Sequence, residues 1–341
     1  MYKQAFLILT YKKSKSLKDL LTVLSQTKGD VFVHIDRKCQ DRSFIKMIES
    51  FSNTKIIDQH YDISWGSFNM VKAMLALLRN ACSTSTSYSH YVFLSGSDYP
   101  VWNSKEIVDF FHKNYGKELI NAYDITTNDC LHCKSKIINY FYMEDSGMFH
   151  VFSKGLNVIL SELFRIREKK PYLVIDNKKE DVFYGSQWFG ITEDCARYVL
   201  KRVQNKEYAK YFKHAFAPDE MFFHTIIFNS KFKNKNQNRG IKPYSPKWNL
   251  YNYTYLNSSR LNCSEPIEPS RLRKKINKIL GKTPEEKEKF GSGSIDFLNK
   301  LDYESIEHSK MPFCRKVDDT YSRKLILRLR LKNGLTQKLS N

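Results

Sequence analysis

The chain predicts an α/β fold with a mainly parallel central sheet flanked by helices. Three observations carry that reading. Apolar, β-rich runs alternate with amphipathic helical segments through the N-terminal third, and the runs end in polar or acidic residues. The run Tyr91-Val-Phe-Leu94 stops in Ser-Gly-Ser-Asp98 and is closed by Tyr99 and Pro100, since proline cannot extend a central strand. Hydrophobic residues make up 41% of 341, enough for a substantial core.

Taken in order, Gln4–Thr10 is an apolar strand. Ser16–Ser25 follows as a helix with Leu17, Leu20, Leu21 and Leu24 on one face. Asp30–Asp36 is a second strand, Ser43–Phe51 a second helix and Lys55–Ile57 a short third strand. This alternation implies parallel pairing with right-handed crossovers. Ser64-Trp65-Gly66-Ser67 leads into the helix Phe68–Cys82, striped by Met70, Val71, Met74, Leu75 and Leu78. The strand at Tyr91 follows, then a helix Lys105–Asn114 capped by Asn103 or Ser104, and a short strand Glu118–Ala122.

Periodicity is weaker over 123–180, read as an acceptor-side insertion with one helix around Gly155–Arg167. Phe183–Thr192 is a strand with a glycine break, Asp194–Val203 a helix, and Pro218-Asp219-Glu220 the start of a helix through Phe228. Residues 264–294, rich in Pro, Lys, Glu and Gly, read as a long mobile segment, with order returning at Ile295–Leu301. The organisation expected is a nucleotide-sugar-binding half at 1–122, an acceptor-side catalytic half at 123–262, a basic insertion at 263–294 and a C-terminal element with a basic tail at 295–341.

The net charge of +20 points to anionic partners, whether phosphorylated ligands, anionic lipid or nucleic acid. The basic runs fall in loops and the C-terminus while the aromatics fall in strands and helices. A nucleic-acid surface interleaves the two, which counts against a basic nucleic-acid-binding protein but leaves it as the alternative from another class. Seven scattered cysteines favour a reducing compartment, and the lone Cys130-x-x-Cys133 lacks the second pair of a zinc site. No signal peptide precedes the first strand and no run of about eighteen apolar residues occurs, so a soluble or peripheral, cytoplasmic protein is expected.

In an open α/β sheet ligands sit beyond the carboxyl ends of the strands, which delivers Asp98 to that crevice. Glu220 is the candidate general base, a carboxylate able to take a proton from an attacking hydroxyl. Helix capping is the plainer use of an acid at that position. Asp36, ending its strand, either accepts hydrogen bonds from a uracil or ribose or caps the next helix. Gln187 and Trp188, after a Gly-Ser bend, face a sugar ring or the core. His34, between apolar neighbours, reads as a satisfied strand histidine. G-x-G-x-x-G and P-loop motifs are missing, and so is any Asp-x-Asp to hold a divalent ion on a diphosphate. Arg315 and Lys316 supply the charges that would replace that ion, unless they are simply surface cations.

Val33-His34-Ile35-Asp36, Ser64-Trp65-Gly66-Ser67, Leu94-Ser95-Gly96-Ser97-Asp98-Tyr99-Pro100, Gly185-Ser186-Gln187-Trp188-Phe189 and Pro218-Asp219-Glu220 occur in that order. Together they resemble glycosyltransferase family 14, the core-2 and I-branching N-acetylglucosaminyltransferases and peptide O-xylosyltransferases. Phe313-Cys314-Arg315-Lys316-Val317-Asp318 is similar to that family's closing element. The resemblance implies a GT-A-like Rossmann-type fold, a UDP-sugar donor, inversion and no metal cofactor. It implies Glu220 as general base, Arg315 and Lys316 on the leaving diphosphate with Arg260 as a further phosphate contact, Asp36 on the uridine, and Gln187 and Trp188 at the donor sugar. Gln187 stands where the xylosyltransferases carry an acid, which leaves the donor open, N-acetylglucosamine first and xylose or glucose next. Animal members carry an anchor, a stem and disulfides. Without these the chain resembles a bacterial relative acting on glycan or lipid-linked oligosaccharide acceptors. For Arg323–Lys332, where Leu and Ile alternate with Arg and Lys, two readings stand: a peripheral contact with anionic membrane, or an edge strand. A noncatalytic carbohydrate- or membrane-binding relative is the remaining alternative.

Overall fold

A computed structural model describes residues 3–126, 131–138, 169–236, 252–256 and 297–335. Its centre is a five-stranded sheet. Strand β1 (Lys3–Thr10) leads through helix α1 (Lys15–Ser25) to β2 (Asp30–Ile35), and through α2 (Arg42–Glu49) to β3 (Thr54–Ile56). Helix α3 (Phe68–Cys82) then returns the chain to β4 (Tyr88–Ser95) on the other side of β1. The order β4-β1-β2-β3 is parallel throughout, and β10 (Gly190–Ile191) closes the β4 edge antiparallel.

Both faces of the sheet are covered, so β1 and β4 are buried nearly throughout, with the apolar runs 5–9 and 91–94 at their centres rather than an alternation. On one face Phe6 and Ile8 meet Leu20, Leu24, Phe44 and Ile48 of α1 and α2. On the other Leu7 and Phe93 meet Val71, Met74 and Leu78 of α3 and Phe189 and Phe223 further along. Local chemistry sets the helix starts. Ser14 caps α1, Asp41 caps α2, and Asn103 with Glu106 forms a reciprocal capping box on α4 (Ser104–Lys113).

The turn after β4 differs from the expectation. Tyr99–Pro100 is itself a short strand, β5, of a second sheet ordered β11-β12-β5, with β11 at Thr254–Tyr255 and β12 at Phe313–Cys314. Proline is tolerated there because β5 is an edge strand. Gly96 makes the turn possible: a Cβ on it would run into the Thr10 side chain at the end of β1.

Within the weakly periodic stretch, β6 (Ala122–Asp124) pairs antiparallel with β9 (Phe183–Gly185). Helix α5 (Leu131–Ile138) and a hairpin of β7 (Tyr172–Ile175) and β8 (Lys178–Asp181) were not anticipated. The helix expected around Gly155–Arg167 lies outside the described residues. Helices α6 (Glu193–Arg202) and α7 (Lys206–Phe212) precede a single 3-10 turn, Pro218–Glu220, which breaks at Met221 before α8 (Phe222–Phe228). Glu220 therefore ends a 3-10 turn instead of opening an α-helix.

After a 3-10 turn at Lys300–Asp302 and helix α9 (Tyr303–Ser309), Arg323–Lys332 forms helix α10. The edge-strand reading is thereby overturned. Leu325, Ile326 and Leu329 sit at helical spacing and pack with Tyr99, Val101, Leu298 and Ile306 in a separate core.

Candidate active site

Arg315 is placed by strand register. Cys314 pairs with Tyr99 and Phe313 with Pro100, so the next residue, Arg315, arrives opposite Asp98. Asp98 is wholly buried: Oδ2 accepts from the Ser95 backbone N–H and the Ser95 hydroxyl, and Oδ1 lies 3.8 Å from Arg315 Nε. That separation is beyond a hydrogen bond, and both atoms are buried without one. The guanidinium carbon stands 4.1 Å from the centre of the Trp188 ring. Burial pulls the Arg315 pKa down and pushes the Asp98 pKa up, each against the attraction of the other. Asp98 thus holds a neighbouring cation rather than facing an open crevice.

Glu220 faces a different cation. Its Oε2 is 2.7 Å from Lys136 Nζ of α5, which also donates to the Tyr184 hydroxyl at 3.2 Å and lies 4.7 Å from the Tyr184 ring centre. The Lys136 side chain is 11% exposed and that of Glu220 30%, so the carboxylate keeps access from outside while its partner is largely enclosed. Next to it Asp219 is buried and its pKa is pushed up to about 7, by burial first and the Glu220 charge second. Two adjacent carboxylates cannot both ionise cheaply, which is why the neighbouring Glu220 adds to the upward shift of Asp219. Arg315 senses both acids, which joins the two ion pairs into one electrostatic unit.

The acidic turn is held from below. Ala217 sits in the left-handed region at φ +49°, a conformation that costs a non-glycine residue roughly 1 kcal/mol. Its N–H donates to the Gly66 carbonyl at 3.0 Å, and the Phe216 N–H donates to the Lys136 carbonyl at 2.8 Å. Gly66, at φ +80°, has the Phe216 ring where a side chain would go. Trp65 packs edge-on to Phe216, 4.9 Å between centres, and is 69% exposed. The Ser-Trp-Gly-Ser segment is therefore a support for the acid-bearing turn.

The remaining anticipated residues fall as follows. Trp188 is buried under Arg315, and Gln187 is half-buried with its amide 3.8 Å from the Met74 sulfur. Asp36 lies on the carboxyl edge of the sheet but is occupied by the backbone N–H groups of Lys38 and Ile63, at 2.9 and 3.2 Å. It does not cap α2, since Asp41 does. Lys316 is half-buried, its carbonyl accepting from Leu298 N–H at 2.8 Å. Arg260 lies outside the described residues. His34 is core: Nε2 accepts from Tyr61 N–H at 3.0 Å, and burial lowers its pKa to about 4. Among the described residues no three His, Cys, Asp or Glu side chains gather as a metal-holding group. Lys136, Tyr184 and the buried role of Asp219 were missed. Lys136 lies in the weakly periodic stretch, and nothing in its neighbourhood signals a partner so far along the chain.

A family model described as Core-2/I-branching enzyme matches residues 4–274. Xylosyltransferase oxt of Drosophila melanogaster is 23% identical over 235 residues, 67% of this chain and 24% of that protein. Human xylosyltransferase 2 is 20% identical over 234 residues, 66% of this chain and 24% of that protein. Xylosyltransferase sqv-6 of Caenorhabditis briggsae is 24% identical over 208 residues, 59% and 23% respectively. The chain thus spans about a quarter of the length of these relatives.

Proposed function

The chain belongs to the Core-2/I-branching enzyme family, and from that premise we propose that it is a glycosyltransferase. It moves a sugar from a UDP-sugar to a hydroxyl of a glycan or lipid-linked oligosaccharide, inverting the anomeric carbon without a divalent metal. The supporting observation is an enclosed cation, Arg315, within electrostatic reach of an accessible carboxylate, Glu220, that is itself held by Lys136.

In this reaction Glu220 takes the proton of the acceptor hydroxyl as its oxygen attacks the anomeric carbon. The bond from that carbon to the β-phosphate oxygen breaks on the opposite side, and its electron pair leaves with UDP. Arg315 and Lys316 neutralise the charge that develops on the diphosphate, the role a metal plays elsewhere. Asp98 and Trp188 hold the guanidinium in position before the donor arrives, so little reorganisation is left for the reaction itself. Asp36 on the uridine and Gln187 at the donor sugar complete the reading, and both must give up or share their present contacts to do so. The relatives' names put UDP-xylose beside UDP-N-acetylglucosamine as the first donors to test.

The test is a panel of UDP-N-acetylglucosamine, UDP-xylose and UDP-glucose in EDTA, read by melting shift and by release of UDP. One donor should raise the melting temperature and be turned over. If none does either, the transferase reading fails; if turnover needs added manganese, the metal-independent part fails.

A further inference from the structure

Among the described residues, nine large apolar side chains stand exposed, and five of them belong to the C-terminal segment: Phe297, Leu301, Tyr321, Leu327 and Leu331. Scattered single exposures need no explanation, but a concentration at one end of a molecule does. Leu327 and Leu331 are one turn apart on α10, while the opposite face, Leu325, Ile326 and Leu329, is buried. Leu301, 75% exposed, rides on the 3-10 turn that packs against this helix. Phe297 and Tyr321 lie near each other, 6.3 Å between ring centres.

Cations surround these side chains. Arg323, Lys324 and Arg328 are exposed on the same helix, and α10 itself contains no acid. Helix stability does not account for the first two: a cation in the first turn opposes the helix dipole, and Ser322 makes no capping hydrogen bond with its side chain. The acids nearest in sequence are engaged elsewhere. Asp319 accepts the N–H groups of Lys15 and Ser16 at 2.7 and 2.9 Å, and Asp318 accepts those of Thr320 and Tyr321 at 2.9 and 3.2 Å. Beyond α1, a cleft between α1 and α2 gathers Lys13, Lys15, Lys18 and Lys46.

We propose that the C-terminal element docks the protein on an anionic lipid bilayer, with Leu301, Leu327 and Leu331 entering the interface and Arg323, Lys324 and Arg328 meeting headgroup phosphates. The charge selects an anionic partner, and leucines set among the cations suit a surface with an apolar layer behind its phosphates. The buried face of α10 packs with Cys314 and Val317, on either side of Arg315 and Lys316, but the exposed side chains invoked here belong to no part of the proposed transfer chemistry, so the inference is tested apart from it.

The experiment is flotation of the full chain with vesicles of phosphatidylcholine alone or mixed equally with phosphatidylglycerol. Binding is expected only to the mixed vesicles and should weaken as salt rises. The pair Leu327→Ser and Leu331→Ser should reduce it about tenfold, from the loss of buried apolar area. The pair Arg323→Glu and Lys324→Glu should abolish it. Both pairs lie on the exposed face and should leave UDP-sugar turnover unchanged; the leucine pair should leave the melting temperature unchanged, and the glutamate pair, which now complements the helix dipole, should not lower it. Three results would overturn the proposal: no binding to the mixed vesicles; binding indifferent to the leucine pair, with duplex DNA competing for the same cations; or a dimer that the leucine pair converts to monomer, which would make this face a contact between copies.

Discussion

Replacing Asp98 by Asn isolates the buried cation on which the proposed chemistry depends. Asn keeps the size of the side chain and an oxygen for the Ser95 donors, but it removes the charge facing Arg315 and turns an amide dipole toward it. Breaking a buried ion pair from one side costs about 3–5 kcal/mol. The 3.8 Å separation, too long for a hydrogen bond, places this pair near the lower end, about 3 kcal/mol. With an unfolding entropy of about 2 cal/mol/K per residue over 341 residues, that is a fall in melting temperature of about 4 °C. Burial outweighs attraction for both partners, so removing both charges is a different matter. Asp98→Asn with Arg315→Met should recover to within about 1 kcal/mol of the parent, because Met can lie on Trp188 and no uncompensated charge remains. Scanning calorimetry of the parent, both single variants and the double variant gives the coupling directly. If Asp98→Asn melts with the parent, or the double variant is no better than the single, Asp98 is not what holds Arg315.

Three further outcomes follow from the same geometry. Lys136→Met should lower turnover about 10- to 100-fold through loss of the position of Glu220, with donor KM little changed; a matching rise in donor KM would place Lys136 on the donor instead. For Asp219 the folded pKa of about 7 lies above the unfolded value, so its protonated form favours the folded state at acid pH. That contribution is complete below about pH 4 and lost by about pH 7, so Asp219→Asn should gain stability relative to the parent across that window. A melting difference that stays constant with pH would contradict the assignment. Gly96→Ala should destabilise, since its Cβ meets Thr10 where β1 and β4 end; an unchanged melting temperature would show that the turn can yield.

The sequence made the central sheet legible because its strands are buried on both faces and its helices are amphipathic. Each of those signals is local, and α3 was delimited to the residue. The second sheet was not legible. Tyr99–Pro100 and Phe313–Cys314 are two residues each, too short for any periodicity, and pair only because distant parts of the chain fold together. The C-terminal helix was legible in part. Leu325, Ile326 and Leu329 have helical spacing, but the Leu-Arg alternation that runs through them has the period of a strand. For the site, Glu220 and Arg315 were candidates by residue type, with capping and surface charge as plainer uses, and the family resemblance is what gave them roles. Lys136 did not stand out, and neither did the conversion of Asp98 from a crevice-facing acid to the anchor of a buried cation, since burial and pairing belong to tertiary structure.

Glu220→Gln tests the account at its centre, because the amide keeps the shape of the side chain and loses the ability to accept a proton. With the donor identified, single-turnover transfer should fall by about 10²- to 10⁴-fold while the donor-induced melting shift stays as in the parent. Transfer by this variant at close to the parental rate would mean that the proton of the acceptor leaves by another route.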